Sequence, residues 1–238
     1  MSNLAPHDLR AGGEEAAGVK GPVTVVELTR HERSVARRSA EIRATVPDVE
    51  YTAVVEMTAA ERRALALGGG PAAVDGVVLA AVAAALRETP RLSGAYRDGR
   101  FELYGRVNIG VAVAADGVYV APTVFDADTK DAAALAAEIA DTRARALTDE
   151  LSPAELTGAT FTVAFASGDA VVAATPLISA PHAGALTVGA TQDAPVIRDG
   201  AVVPGRTAVL TLAADARIAG PDHAAAFLAA VRASLAAG

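Results

Sequence analysis

The sequence predicts an α/β chain of the α+β kind, with short strands alternating with amphipathic helices. Three observations predict it. Apolar and polar residues alternate over Tyr51–Met57, the period of a strand. Val107–Val113, Asp116-Gly117 and Val118–Val124 read as strand, tight turn, strand. Helix-start signatures stand between such runs, with Thr29 and Glu32, Thr58 and Glu61, and Ser152 and Glu155 each spaced as a capping box.

Composition bounds the rest. The 238 residues suffice for one large domain or two small ones. Hydrophobic residues make up 52% and aromatics only 4%, so the core is expected from Val, Leu and Ala. A formal charge of −7 argues against an electrostatic nucleic-acid footprint. The absence of cysteine excludes a disulfide framework, a thiolate metal site and a Cys nucleophile, and fits a reducing compartment. The apolar stretch Val77–Leu86 is too short to span a bilayer, and no charged-then-apolar leader is seen. The expectation is a soluble cytoplasmic protein with no metal, membrane or nucleic-acid partner.

In chain order, 1–22 read as a flexible arm and 23–238 as one domain. Val23–Glu27 can form a short strand. A basic helix follows, with Arg33, Arg37, Arg38 and Arg43, ending before Pro47. Its face is either a solvated surface or a partner for phosphate. After the Tyr51–Met57 strand comes a helix from Thr58, stopped by Gly68-Gly-Gly-Pro71. Val74–Arg87 reads as a buried helix that Pro90 ends. Asp98-Gly99 predicts a hairpin joining Tyr96 to Phe101. Beyond Asp126-Ala-Asp128, Leu135, Ile139 and Leu147 fall on one apolar helix face. Ser152-Pro-Ala-Glu155 has the form of a helix start. Strands are expected at Gly158–Val163, Ala185–Ala190 and Arg206–Ala214, with an Asp199-Gly200 hairpin between the last two. A Gly-Pro turn then leads into a C-terminal helix that packs through Phe227, Leu228 and Val231.

Several of these stretches, in order, resemble the catalytic domain of the 2-oxoacid dehydrogenase acyltransferases (E2, dihydrolipoyl acyltransferases). They are Val107-Asn-Ile-Gly-Val-Ala-Val113, Ser152-Pro-Ala-Glu155, Gly158-Ala-Thr-Phe-Thr-Val163, Ser179-Ala-Pro181 and Asp215 through Leu228. The resemblance covers roughly residues 23 to 236. It implies a chloramphenicol acetyltransferase-like mixed sheet with flanking helices, assembled as trimers or larger assemblies of trimers, with the active site between subunits. In the family a His takes the acceptor's proton and a Ser or Thr hydroxyl steadies the tetrahedral oxyanion. Here the His position holds Ala216, the hydroxyl position Ala164, and a family Asp position Gly220, while Asp215 and Arg217 match. The resemblance therefore implies a diverged, stand-alone member with no lipoyl group on this chain.

Candidate replacements are His182, on the loop after Pro181, and His223, at the start of the last helix. Ser167 and Thr162 flank Ala164, with Thr162 on the same strand face. Asp215 and Arg217 form a structural or catalytic pair, and Arg37 and Arg38 could meet a phosphate of coenzyme A. His7 and His31 are further histidines without a site pattern. Three functions follow from the resemblance. One is acyl transfer from a coenzyme A thioester to a non-lipoyl small-molecule acceptor, as in secondary metabolism. The second is a repurposed pocket that promotes cyclisation or elimination of an apolar substrate. The third is a non-catalytic trimeric scaffold, or pseudoenzyme, that partners E2 chains.

Overall fold

One long strand, residues Ala201–Asp215, carries the sheet of this computed structural model, which describes residue 21 and residues 23–115, 118–148, 150–166 and 168–237. The chain divides into two compact units, 1–40 and 41–238. The elements are α1 (Arg30–Thr45), β1 (Asp48–Glu56), α2 (Thr58–Ala66), α3 (Pro71–Glu88), β2 (Ala95–Arg97), β3 (Arg100–Glu102), β4 (Ile109–Ala115), β5 (Val118–Val120) and β6 (Thr123–Val124). Then come α4 (Ala132–Leu147), β7 (Phe161–Phe165), β8 (Gly184–Val188), β9 (Gln192–Arg198), β10 (Ala201–Asp215) and α5 (Pro221–Ala236).

The main sheet runs β1-β10-β8-β7-β4-β5, with β6 on β4 and β9 on β10. The β4–β7 and β7–β8 pairs are parallel and the others antiparallel, so the α/β chain folds as a mixed sheet. Alternation sorts its two faces. Tyr51, Ala53, Val55, Leu210, Leu212, Leu186, Phe161, Val163, Ile109 and Val111 join the core with residues of α3 and α5. Phe161 and Phe227 rings meet at 5.7 Å. The other face carries small residues, and there Ala185 and Ala213 pack with Ile42, Val46 and Ile178.

Local chemistry explains most elements. Thr29 and Glu32 exchange backbone bonds as a capping box, the Glu32 N–H donating to Thr29 Oγ1 at 3.2 Å and the Thr29 N–H to Glu32 Oε2 at 2.7 Å. Gly68, Gly69 and Gly70 all have positive φ and end α2, and Pro71 opens α3. Asp98 and Gly99, both at positive φ, close the β2–β3 hairpin and set Tyr96 opposite Phe101. Asp199 and Gly200 do the same between β9 and β10, with Ile197 opposite Val202.

Six expectations are corrected. Residues 23–27 form no strand, and Val23, Val25 and Val26 stay exposed with no partner strand among the described residues. Thr58 is not a cap. It is the first residue of α2, its Oγ1 accepts from the Arg206 N–H, and Glu61 pairs with the Arg206 side chain instead. The strand expected over 118–124 is cut at Ala121-Pro122, because proline has no N–H to give the ladder. Leu147 is 67% exposed, since the buried stripe of α4 is Leu135, Ile139, Thr142 and Ala146, one residue out of phase with it. Ser152–Glu155 is a turn without a following helix, with Ser152 Oγ donating to Glu155. The strand expected at Gly158 begins at Phe161, after Asn108 and Thr160 have tied the preceding loop to β4. The expected turn residues Asp116 and Gly117 and almost all of the expected arm lie outside the described residues.

No single helix among the described residues is long and apolar enough to cross a membrane.

Candidate functional site

β10 ends in a charged residue that the fold buries. The alternation that points Leu210 and Leu212 into the helix-covered core turns Asp215 to the other side. It is 1% exposed and accepts four hydrogen bonds from Arg217. The Arg217 backbone N–H donates to Oδ1 at 3.0 Å, Nε reaches Oδ1 at 2.9 Å and Oδ2 at 3.2 Å, and Nη2 reaches Oδ2 at 2.6 Å. The guanidinium also lies 4.5 Å from the centre of the Tyr96 ring. Its bonds to Asp215 raise its pKa further. The turn beyond is fixed by backbone bonds: Ala216 N–H to Pro47 O, and the Ile218 and Ala219 N–H groups to Asp215 O. Arg91 adds a bond to Ile218 O.

His182 stands at the same corner. The Asp215 N–H donates to Ala183 O at 2.8 Å, so His182 and Ala216 each lie one residue from that bond. At this point β2 takes over beside the chain. The Ala183 N–H donates to Gly94 O, and Ala95 bridges His182. Burial pushes the imidazole pKa down to about 4, partly offset by a hydrogen bond to the Ala159 backbone. The ring is therefore neutral at pH 7. Its Nδ1 is buried with no hydrogen-bond partner among the described residues. A neutral imidazole with a free lone pair can accept a proton, and a pKa this low makes it a weak base.

The small-residue face carries the hydroxyls. Reading the ladders across the sheet, one row is Thr52, Thr211, Thr187, Ala164 and Ala112. The next row is Glu50, Ala213, Ala185, Thr162 and Gly110. Thr162 is buried beside Gly110, where a Cβ would come within 3.6 Å of its Oγ1. Thr187 is buried too, and it sits one strand, about 5 Å, from Ala164. Sequence reasoning missed Thr187. Only the β7–β8 register brings it beside Ala164, and a strand's partner cannot be read from its own residues.

His223 lies in the first turn of α5, its N–H bonded to Gly220 O and its Nδ1 buried without a partner. Gly220 is the N-cap of that helix. Arg37 and Arg38 are exposed on α1. Ser167 and His7 lie outside the described residues, and so does the side chain of His31. The fold thus brings Asp215, Arg217, His182 and Ala216 together and puts Thr162 and Thr187 on the adjoining sheet face. No group of three His, Asp or Glu residues able to hold a metal occurs among the described residues.

The frame that supports these residues has relatives. The profile of the 2-oxoacid dehydrogenases acyltransferase (catalytic domain) family matches residues 20–237. The chain belongs to this family. It is 27% identical over 217 residues to the dihydrolipoyllysine-residue acetyltransferase component of the pyruvate dehydrogenase complex from Zymomonas mobilis, covering 89% of this chain and 49% of that protein. It is 28% identical to the dihydrolipoyllysine-residue succinyltransferase component of the 2-oxoglutarate dehydrogenase complex from Bacillus subtilis, covering 89% and 52%. The chain thus spans about half the length of these E2 relatives. Among solved structures, a probable dihydrolipoamide acetyltransferase from Listeria monocytogenes superposes with a TM-score of 0.84 at 26% identity, covering 89% of this chain and 93% of that one. The cubic core of a pyruvate dehydrogenase multienzyme complex superposes at 0.86 and 25%, covering 94% and 96%. Chloramphenicol acetyltransferase, at 0.53 and 19%, shares the fold.

Proposed function

We propose that this E2-family chain moves an acyl group from a coenzyme A thioester to an acceptor other than a lipoyl group, with His182 as base and Thr187 as oxyanion donor. The observation that carries the reading is the placement of β8. Ala216 and Ala164 hold the positions where the resemblance finds the family's base and hydroxyl. β8 and the residue that leads into it supply an imidazole at the corner of the first and a hydroxyl beside the second.

The acceptor gives its proton to His182 Nδ1 as it attacks the thioester carbon. Thr187 donates to the oxygen that becomes negative, the C–S bond breaks, and the coenzyme A thiolate takes the proton back from the imidazolium. A placed base contributes typically ~10²–10⁴ in rate and an oxyanion donor ~10²–10³. His182 lies two residues before β8 and Thr187 is the fourth residue of that strand, so they are five residues apart, about 16 Å along extended chain and too far to act on one carbonyl. The reading therefore assigns the two groups to neighbouring copies in a homotrimer or an assembly of trimers. Arg37 and Arg38 are the proposed partners for a phosphate of coenzyme A, and secondary metabolism is the proposed setting.

The test is mass-spectrometric detection of acetylated product from acetyl-CoA and a panel of hydroxyl, amine and thiol acceptors, dihydrolipoamide included. The expected result is a non-lipoyl product, with kcat reduced at least ~100-fold in H182A and in T187V. Wild-type rates in both variants would remove the assignment. One observation favours a second reading, a non-catalytic trimeric scaffold that joins E2 chains, because His182 Nδ1 is closed to solvent. Native mass spectrometry separates the two. Trimers holding one coenzyme A per subunit support transfer. Mixed oligomers with an E2 chain and no coenzyme A uptake support the scaffold.

A further inference from the structure

The small-residue face of the sheet is roofed where it carries Thr187. Ala185, Thr187 and Gly189 point to that face, because Leu186 and Val188 between them belong to the helix-covered core. Contacts at three points fix residues 171–178 above them. A Cβ on Gly189 would come within 1.9 Å of Val172 O, so this carbonyl lies directly against the glycine. Gly189 has no positive φ, so it is this close approach that calls for glycine. The neighbouring Ala190 N–H donates to Val171 O at 2.9 Å. Thr175 Oγ1 then donates to Glu50 Oε2 at 2.8 Å, which takes the segment out over β1. Ile178 returns to pack with Ala185, Ala213 and Val46.

The path thus runs from Gly189 out to Glu50 and back to Ala185, and it encloses the rung on which Thr187 faces Thr211. Both are covered, at 5% and 4% exposure, whereas Thr52, the next residue of that row on β1, is exposed. The roof is lightly held. Residues 171–179 belong to no helix or strand. From Ala170 to Pro181 the segment carries no charged residue, and Val171, Val172 and Leu177 are 40%, 46% and 38% exposed. Two hydrogen bonds tie 171–178 to the sheet among the described residues, those of Val171 and Thr175. The strand beneath is bonded on both sides, by β7 and β10. Few buried apolar contacts and few bonds mark a unit that opens locally.

We propose that residues 171–178 are a lid over Thr187, latched by Thr175 on Glu50, which opens as a unit while the sheet stays folded. Its purpose rests on the acyl-transfer reading: Thr187 is the oxyanion donor there, and a thioester carbonyl reaches it only with the lid raised. The lid itself rests on the contacts above.

The chain has no cysteine, so Thr187→Cys introduces a single thiol whose reaction with N-ethylmaleimide reads the opening without reference to catalysis. The folded protein should label at least ~10-fold more slowly than the same protein in urea. Adding Thr175→Val should speed labelling about two- to tenfold, the worth of one hydrogen bond. Adding Gly189→Ala, which drives a Cβ into Val172 O, should speed it at least about fivefold. Val188→Cys is the control, because that side chain faces the core on the other side of β8, and neither addition should change its rate. Labelling of T187C as fast as in urea would overturn the proposal, as would no labelling at all short of unfolding. So would an unchanged rate in either added variant, or an equal acceleration of V188C, which would mean that the whole domain opens. The expected labelling pattern together with wild-type acyl transfer by T187V would leave the lid standing and remove the oxyanion assignment.

Discussion

Replacing Arg217 by methionine would strand a buried carboxylate. Asp215 is 1% exposed and three of its four hydrogen bonds come from the Arg217 side chain. Methionine keeps much of the aliphatic stem, so packing changes little and the charge is what is lost. Removing one partner of a buried ion pair costs about 3–5 kcal/mol. The Arg217 side chain is 34% exposed, so water can partly replace it, and the lower end, about 3 kcal/mol, is expected at pH 7. Urea unfolding of both proteins at pH 7 should show this deficit. D215N/R217M should recover most of it, because no charge is left to bury. A deficit below about 1 kcal/mol, the range of a surface pair, would refute the reasoning, as would a double variant no more stable than R217M.

Three further outcomes are expected. Gly76→Ala would set a Cβ 2.5 Å from Ala132 O and 2.7 Å from Ala136 N, both backbone atoms that cannot swing aside. The helix-propensity gain of about 1 kcal/mol is then outweighed by overpacking, and a thermal melt should show a lower Tm; an unchanged or higher Tm would contradict the α3–α4 contact. Ile139→Ala should cost about 2–5 kcal/mol and Leu147→Glu within about 0.5 kcal/mol in denaturant titrations, and equal costs would place the α4 stripe wrongly. The pH dependence of turnover should be flat from neutrality to about pH 5 and fall as His182 protonates near 4, whereas a step near 6.5 would show the imidazole unburied. The same depressed pKa contributes stability present above about 6.5 and lost as pH falls towards 4.

Much of this fold is legible in the sequence because its signals are local. The Asp-Gly hairpins at 98–99 and 199–200 declare their own backbone conformation, and the Thr29–Glu32 box its own bonds. Thr58 and Glu61 show the limit. The same spacing yields no box, because Arg206, far away in the chain, offers each side chain a better partner. Leu147 fails for a different reason: periodicity identifies a stripe but not which residue ends it. The candidate site divides the same way. Asp215 and Arg217 are two residues apart and legible together. His182 was legible as a residue, but its closeness to Ala216 and its depressed pKa are properties of the folded corner. Thr187 was illegible because it matters only through its neighbour in the register.

β8 is hydrogen-bonded on both sides, to β7 and to β10, and all five of its residues are buried. Its amides should be among the slowest to exchange with deuterium. The chain before it is the opposite. Residues 171–175 are exposed and irregular, tied down by Val171 O to Ala190, by Thr175 to Glu50, and by the buried pegs Pro176 and Ile178. His182 sits at the joint between these two regimes. Within one short stretch of chain, protection should therefore change from the slowest class inside β8 to fast exchange over 171–175.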